Sequence, residues 1–256
     1  MYVKYKSIFI SDIHLGTRGC QADALCNFLK ENTCDNLFLV GDILDGWRLK
    51  NRWYFPQSHL NVIRRILTAA KRDTNVVYIL GNHDEFLRRF LPFGISFGAI
   101  KIVNQIDYHA VKGGRYLIIH GDKFDKMMLP KNKWLMFVGD NLYNFMIGLN
   151  TRLNSIRKFL GMKPWSLSKY LKQRTKQALN FIYKFEELLA LHCYQKDYNG
   201  VICGHIHTPA NKKIQGVHYI NCGDWVESCT AVVETYDGTF EIINYIDSKH
   251  TEKPSA

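Results

Sequence analysis

Short, continuous apolar runs punctuate the chain, and each ends in a polar cluster. Ser7–Ser11, Leu37–Val40, Val76–Leu80, Tyr116–Ile119 and Val201–Cys203 lack alternation, as strands buried on both faces do. Between them, Leu25, Phe28 and Leu29 have helical spacing within 22–29, and Leu60, Ile63, Ile66 and Leu67 mark a second helix. Strands alternating with helices predict an α/β layered fold whose sheet is covered on both faces. Toward the C-terminus, 217–221, 230–235 and 239–245 read as strands, with Asp237-Gly238 as a hairpin turn. Residues 249–256 read as a frayed tail.

The segment after residue 125 has another rhythm. Leu135, Val138, Leu142, Phe145 and Leu149 share one helical face, and Leu171, Thr175, Ala178, Ile182, Phe185 and Leu189 share another. Pro164 marks a helix boundary, and Lys169, Lys172 and Lys176 lie beside the second apolar face. This pattern predicts a helical cap, 126–199, inserted into a body formed by 1–125 and 200–248.

Charge sharpens the division. The 256 residues carry a net charge of +11. Residues 126–190 hold twelve Lys/Arg and three acids, a net +9, so the remainder is nearly neutral. Such an excess suits nucleic acid, an anionic membrane surface or a phosphorylated small molecule. At 46% hydrophobic and 22% charged, the chain excludes disordered and collagen-like classes. No apolar run approaches the roughly 18 residues that span a bilayer. The start runs straight into a strand-like segment and predicts no secretory leader. Seven cysteines without a C-x-x-C pair predict thiols in a reducing compartment, with the cytosol as the expected location.

The polar clusters carry the chemistry. Ile10 is followed by Ser-Asp12-Ile-His14, Val40 by Gly-Asp42, Leu80 by Gly-Asn82-His83-Asp84, Ile119 by His120-Gly-Asp122, and Cys203 by Gly-His205-Ile-His207. In α/β sheets ligands gather outside the carboxyl ends of strands, so five such clusters converge. Carboxylate, amide and imidazole donors suit Mn, Fe, Zn or Mg rather than a thiolate zinc site. Seven donors (Asp12, His14, Asp42, Asn82, His120, His205 and His207) exceed one tetrahedral ion and fit two ions sharing a carboxylate. Burying so many polar groups without a metal would be costly. Asp84, Asp122 and Asp224 read equally well as turn-capping residues, and His59, His109, His192, His218 and His250 have no assigned role.

These five blocks, with Asp45 in Gly-Asp42-Ile-Leu-Asp45, resemble the ordered motif set of the calcineurin-like metallophosphoesterases over roughly 7–125 and 200–225. The resemblance implies a layered β-sandwich flanked by helices, with the cap as an insertion. It implies Asp12, His14, Asp42 and His207 around one divalent ion, Mn2+ first among the candidates. Asp42, Asn82, His120 and His205 would surround a second, with Asp42 as the bridge. It also implies His83 near the scissile phosphate, oriented by Asp45. Two ions about 3.5–4 Å apart stabilise attacking and leaving oxygens.

Within that superfamily, the cap position, Asp45-Gly-Trp47 and Asn-Cys-Gly-Asp-Trp225 are similar to the UDP-2,3-diacylglucosamine diphosphatases. That likeness implies a nucleotide-sugar lipid substrate cleaved to UMP and an acylated sugar phosphate. Lys169, Lys172, Lys176 and Trp47 are the candidate substrate contacts. The same basic surface would dock on the anionic inner face of the cytoplasmic membrane. Gly-Asn-His83-Asp is the general superfamily form, where the best-known diphosphatases of that group carry arginine after the asparagine. A nuclease or nucleotide phosphodiesterase therefore stays open, as does a phosphoesterase for another lipid or sugar nucleotide. A non-catalytic metal-binding scaffold and a protein phosphatase are weaker readings, and no protein partner is inferred.

Overall fold

The continuous apolar runs belong to strands whose pleat buries both faces. In the computed structural model, which describes the backbone of residues 3–128 and 167–246 and the side chains of 3–125 and 175–246, β1 (Val3–Ile10), β2 (Asn32–Val40) and β3 (Asn75–Ile79) lie side by side in parallel. Successive side chains point to opposite faces. Ile8, Ile10, Leu37, Leu39, Val76 and Tyr78 therefore join one core with Leu25 and Phe28 of α1 (Ala22–Glu31) and Val62 and Ile66 of α3 (Gln57–Lys71). Phe9, Phe38, Val40, Val77 and Ile79 join a second core with residues of another sheet. Phe9 and Phe38 stack across the strand pair with ring centroids 5.0 Å apart.

The first sheet has seven strands, in the order β12-β11-β1-β2-β3-β5-β4. Its remaining members are β4 (Ser96–Phe97), β5 (Ile100–Val103), β11 (Thr230–Glu234) and β12 (Phe240–Asn244). The second has five, in the order β6-β7-β8-β10-β9: β6 (Gln105–His109), β7 (Arg115–Ile119), β8 (Gly200–Cys203), β9 (Ala210–Ile214) and β10 (Val217–Asn221). Tyr108, Tyr116, Ile118, Ile202, Ile220 and Cys222 supply its half of the second core. The result is a mixed α/β architecture of two sheets with helices. Periodicity left out several elements: α2 (Gly46–Asn51), a 3-10 helix (Glu85–Phe93), the strands β5 and β6, and the edge strands β4 and β9. The lysines of β9 are exposed, as edge strands that resist further pairing require, so no apolar run announces it.

The chain divides into two compact units, Met1–Asp122 with Glu187–Ala256, and Lys123–Glu186. A helix, Leu167–Tyr194, carries the second predicted stripe, of which Phe185 and Leu189 are buried and Thr175 and Ala178 are exposed. The first predicted stripe (135–149), Pro164 and the tail lie outside the described residues. No helix among the described residues is long and apolar enough to cross a membrane.

Candidate metal centre

Five strands end at the same place. Asp12 and His14 follow β1, Asp42 and Asp45 follow β2, Asn82 and His83 follow β3, His120 follows β7, and His205 and His207 follow β8. Backbone bonds tie the first two loops, with Asp12 N donating to Gly41 O (3.1 Å) and His14 N to Asp42 O (2.9 Å). Asp12, His14, Asp42, His205 and His207 all have φ between 51° and 73°. This left-handed backbone is disfavoured for residues with a Cβ and is held only where the surroundings over-determine it. Glycine makes the crowding tolerable: a Cβ on Gly81 would lie 2.1 Å from Asp42 Oδ1, and one on Gly204 would lie 2.4 Å from Asp12 Oδ2.

Each buried carboxylate uses one oxygen as an anchor and leaves the other facing the cluster. Asp12 Oδ2 accepts from His205 N (2.9 Å), while Oδ1 lies 3.1 Å from His207 Nε2 and 3.8 Å from His14 Nε2. Asp42 Oδ1 accepts from His83 N (2.8 Å), while Oδ2 lies 3.3 Å from His120 Nε2 and 3.9 Å from His83 Nε2. Asp45 caps α2 by accepting from Arg48 N (2.8 Å). Its Oδ1 also stands 3.0 Å from His83 Nδ1 and its Oδ2 3.6 Å from His14 Nδ1. Trp47 lies over His83, with ring centroids 4.1 Å apart.

The donor set fits divalent metal. Three groups have ligand atoms mutually within 4.8 Å: Asp12–His14–His207, Asp42–His120–His205 and His14–Asp42–His83. Asp12 Oδ1, Asn82 Oδ1 and His120 Nε2 are buried without a hydrogen bond, although such groups are normally satisfied. His120 Nδ1 donates to Val40 O (2.9 Å), which fixes the tautomer and leaves the Nε2 lone pair directed into the cluster. His14 Nε2 and His207 Nε2 face one another at 3.4 Å, an arrangement a shared cation would relieve.

The carboxylates also favour protonated imidazoles, whose protons a bound metal would displace. Burial opposes the charged form of His120, but the Asp42 and Asp12 carboxylates outweigh it and bring its pKa up to about 10. Burial likewise works against ionised Asp12, yet the charges of His120, His207 and His14 hold its carboxyl well below the usual range. For His83, burial is again overcome, by Asp45 and Asp42, and the pKa is raised.

Sequence reasoning underread Asp84. This fully buried carboxylate accepts from Ile43 N (3.1 Å), Leu44 N (2.9 Å) and the Tyr78 hydroxyl (2.6 Å), locking the Asp42 loop to the Asn82 loop. Burial and the neighbouring Asp42 push its pKa up to about 6. Asp122 pairs with Arg88, Nη1 to Oδ2 at 2.9 Å, and Arg88 Nη2 also donates to Leu80 O (3.0 Å), joining the Asn82 and His120 loops. No spacing rule pointed to either role. Asp224 closes its own turn, its Oδ1 accepting from the backbone of Val226 and Ser228. His59 accepts from Gly16 N at Nδ1 (3.0 Å) behind the first loop. Of the predicted cap contacts, Lys176 is exposed, and the side chains of Lys169 and Lys172 lie outside the described residues.

Comparison with known proteins places this centre. The calcineurin-like phosphoesterase family matches residues 5–209, and the chain belongs to that family, whose members are metal-dependent. Among curated proteins, the DNA polymerase II small subunit of Methanothermobacter thermautotrophicus is 25% identical over 248 residues, which cover 84% of this chain. The chain spans 46% of that relative's length. Among solved structures, hypothetical protein PH1004 from Pyrococcus horikoshii is similar at TM-score 0.50 and 11% identity, covering 98% of this chain and 94% of its own. Yfce, a phosphoesterase from E. coli, aligns at TM-score 0.42 and 14% identity, covering 93% and 98%.

Proposed function

We propose that the protein is a two-metal hydrolase cleaving the pyrophosphate of a UDP-linked acylated sugar, UDP-2,3-diacylglucosamine, to UMP and diacylglucosamine 1-phosphate. The convergence of Asp12, His14 and His207 in one group and of Asp42, His120 and His205 in another, with Asn82 Oδ1 buried and unsatisfied after β3, carries the two-metal reading. Asp12, His14, Asp42 and His207 would hold one ion, and Asp42, Asn82, His120 and His205 the other; the mixed oxygen and imidazole set suits Mn, Fe, Zn or Mg, with Mn2+ the first candidate from the family resemblance. Such ions supply Lewis acidity and a water of lowered pKa.

The chain's own residues do the rest. With Nδ1 turned to Asp45 and its pKa raised by Asp45 and Asp42, His83 can carry a proton at Nε2 and present it to a phosphoryl or leaving oxygen. Trp47 covers the outer face of that ring and restricts its rotation. The substrate assignment rests on the likeness in Asp45-Gly-Trp47, Asn-Cys-Gly-Asp-Trp225 and the basic 126–199 cap. In that cap, Lys169, Lys172 and Lys176 would pair with the diphosphate while the apolar stripes receive the acyl chains. The enzyme would work at the cytoplasmic face of the inner membrane. The polymerase-subunit relative favours one second reading, hydrolysis of a nucleic-acid or nucleotide phosphodiester. Release of UMP from UDP-2,3-diacylglucosamine under Mn2+ tests the first reading; no release, with cleavage of single-stranded DNA, replaces it by the second.

A further inference from the structure

The 3-10 helix Glu85–Phe93 leaves the centre immediately after Asp84, and its apolar side chains divide between buried and exposed. Leu87 is buried and Leu91 packs on the helix-side core, which fixes the orientation of the helix. Phe86, Phe90 and Phe93 of the same helix are exposed by 39%, 40% and 80%, and Phe97 on the edge strand β4 is 47% exposed. Four phenylalanines outside the core within twelve residues exceed the scattered apolar exposure of an ordinary surface. The run also starts at the chemistry, because Phe86 lies against Gly46, where a Cβ would come within 2.7 Å of its ring.

Beyond Glu85, which accepts from Trp47 Nε1 (3.3 Å), the charge along this segment has one sign. No acid occurs from 86 to 103. Arg88 is engaged by Asp122, but Arg89 and Lys101 are exposed, and Arg89 lies 4.9 Å from the Phe90 ring centroid. Aromatic side chains with interleaved cations are what a protein lays into the headgroup region of an anionic bilayer.

We infer that Phe90, Phe93 and Phe97, with Arg89 and Lys101, form a docking rim for an anionic lipid surface on the catalytic body itself, separate from the basic segment 126–190. The inference builds on the lipid-substrate reading and adds the surface at which the bilayer meets the enzyme. A substrate whose acyl chains remain in the membrane would then reach His83 and Trp47 along the rim.

The test is co-sedimentation of the full chain with phosphatidylcholine vesicles, with and without phosphatidylglycerol. Wild type should partition onto the anionic vesicles, Phe90→Ser/Phe93→Ser should bind them about tenfold more weakly, and Arg89→Glu should lose the preference for phosphatidylglycerol. The +9 segment is intact in these variants, so unchanged partitioning would assign binding to it and overturn the rim. Failure of wild type to bind either vesicle also overturns it. So does a vesicle-independent dimer, seen by analytical ultracentrifugation, that Phe93→Ser dissolves. Turnover of soluble bis(4-nitrophenyl) phosphate should be the same in wild type and variants, which shows that they fold. Rim-dependent vesicle binding without UMP release would retain the rim and reject the lipid-nucleotide substrate. UMP release with rim-independent binding would do the reverse.

Discussion

Two of the polar clusters buried in the body obey opposite rules. Between the sheets, Glu234 is fully buried, yet its Oε1 accepts from Val111 N (2.8 Å) and its Oε2 from the Tyr108 hydroxyl. Ser7 Oγ lies 2.7 Å from that hydroxyl and accepts from Asn36 Nδ2 (3.3 Å). This network satisfies itself. At the strand ends, Asp12 Oδ1, Asn82 Oδ1 and His120 Nε2 have no hydrogen bond, Asp12 and His120 belong to groups whose ligand atoms converge, and Asp12, His14, Asp42, His205 and His207 sit on backbone held at positive φ. Polar burial alone therefore does not mark function here. Convergent, unsatisfied lone pairs do, because they incur a desolvation cost that only a ligand repays.

Breaking the contrast at its strongest point means removing the shared carboxylate. Asp42→Ala should lower Mn2+-dependent turnover of bis(4-nitrophenyl) phosphate by about a thousandfold or more, since several kcal/mol of transition-state stabilisation depend on both ions; wild-type turnover in this variant would sink the two-metal reading. Chelation should have the same effect on wild type and should also lower its Tm, with about 2.7 kcal/mol lost from saturation at a hundred times Kd. Asp42→Ala should show no such metal-dependent Tm shift by calorimetry.

A milder change tests whether Asp84 serves the centre or only the fold. Asp84→Asn should weaken Mn2+ binding by about tenfold, as loss of a group that orients ligands does. Titration of metal against turnover reads this, and added Mn2+ should restore most of kcat. A kcat loss that metal does not rescue would move Asp84 to another role. In the self-satisfied network the outcome should invert. Tyr108→Phe should cost about 1–3 kcal/mol in urea unfolding, by depriving buried Glu234 of a donor, while turnover per folded molecule stays at wild type.

The smallest effect concerns pH at His59, buried behind the first loop. Burial lowers its pKa, so the folded chain takes up this proton at lower pH than the unfolded chain does. The histidine is neutral in both states above about 6.5, and its destabilising contribution grows as pH falls below that value. His59→Gln should therefore lose less stability than wild type on acidification below about 6.5, measured by denaturation on metal-free protein. Parallel curves for the two proteins would count against this contribution.

Much of the site was legible because its chemistry is local. Each donor sits within four residues of the end of an apolar run, and D-x-H and H-x-H spacings are visible in a linear string. The buried strands were legible for the same reason, since runs such as Ser7–Ser11 and Val76–Leu80 need no partner to be recognised. Asp84 was not legible as a clamp, because its acceptors are filled from Ile43 and Leu44, some forty residues away. Arg88 and Asp122 were hidden likewise, as was β9, whose exposed lysines carry no periodic signal.

The sequence by itself determined which residue types lie at which strand ends, and with them the family and the class of chemistry. Only the tertiary structure decided which oxygen of Asp12 or Asp42 is anchored and which is left to bind. It also decided that His120 presents Nε2 and that the phenylalanines after Asp84 face outward rather than into the core. Composition and period are properties of neighbours along the chain. Lone-pair direction and exposure depend on parts of the chain far apart in sequence, so they exist only once the loops have met.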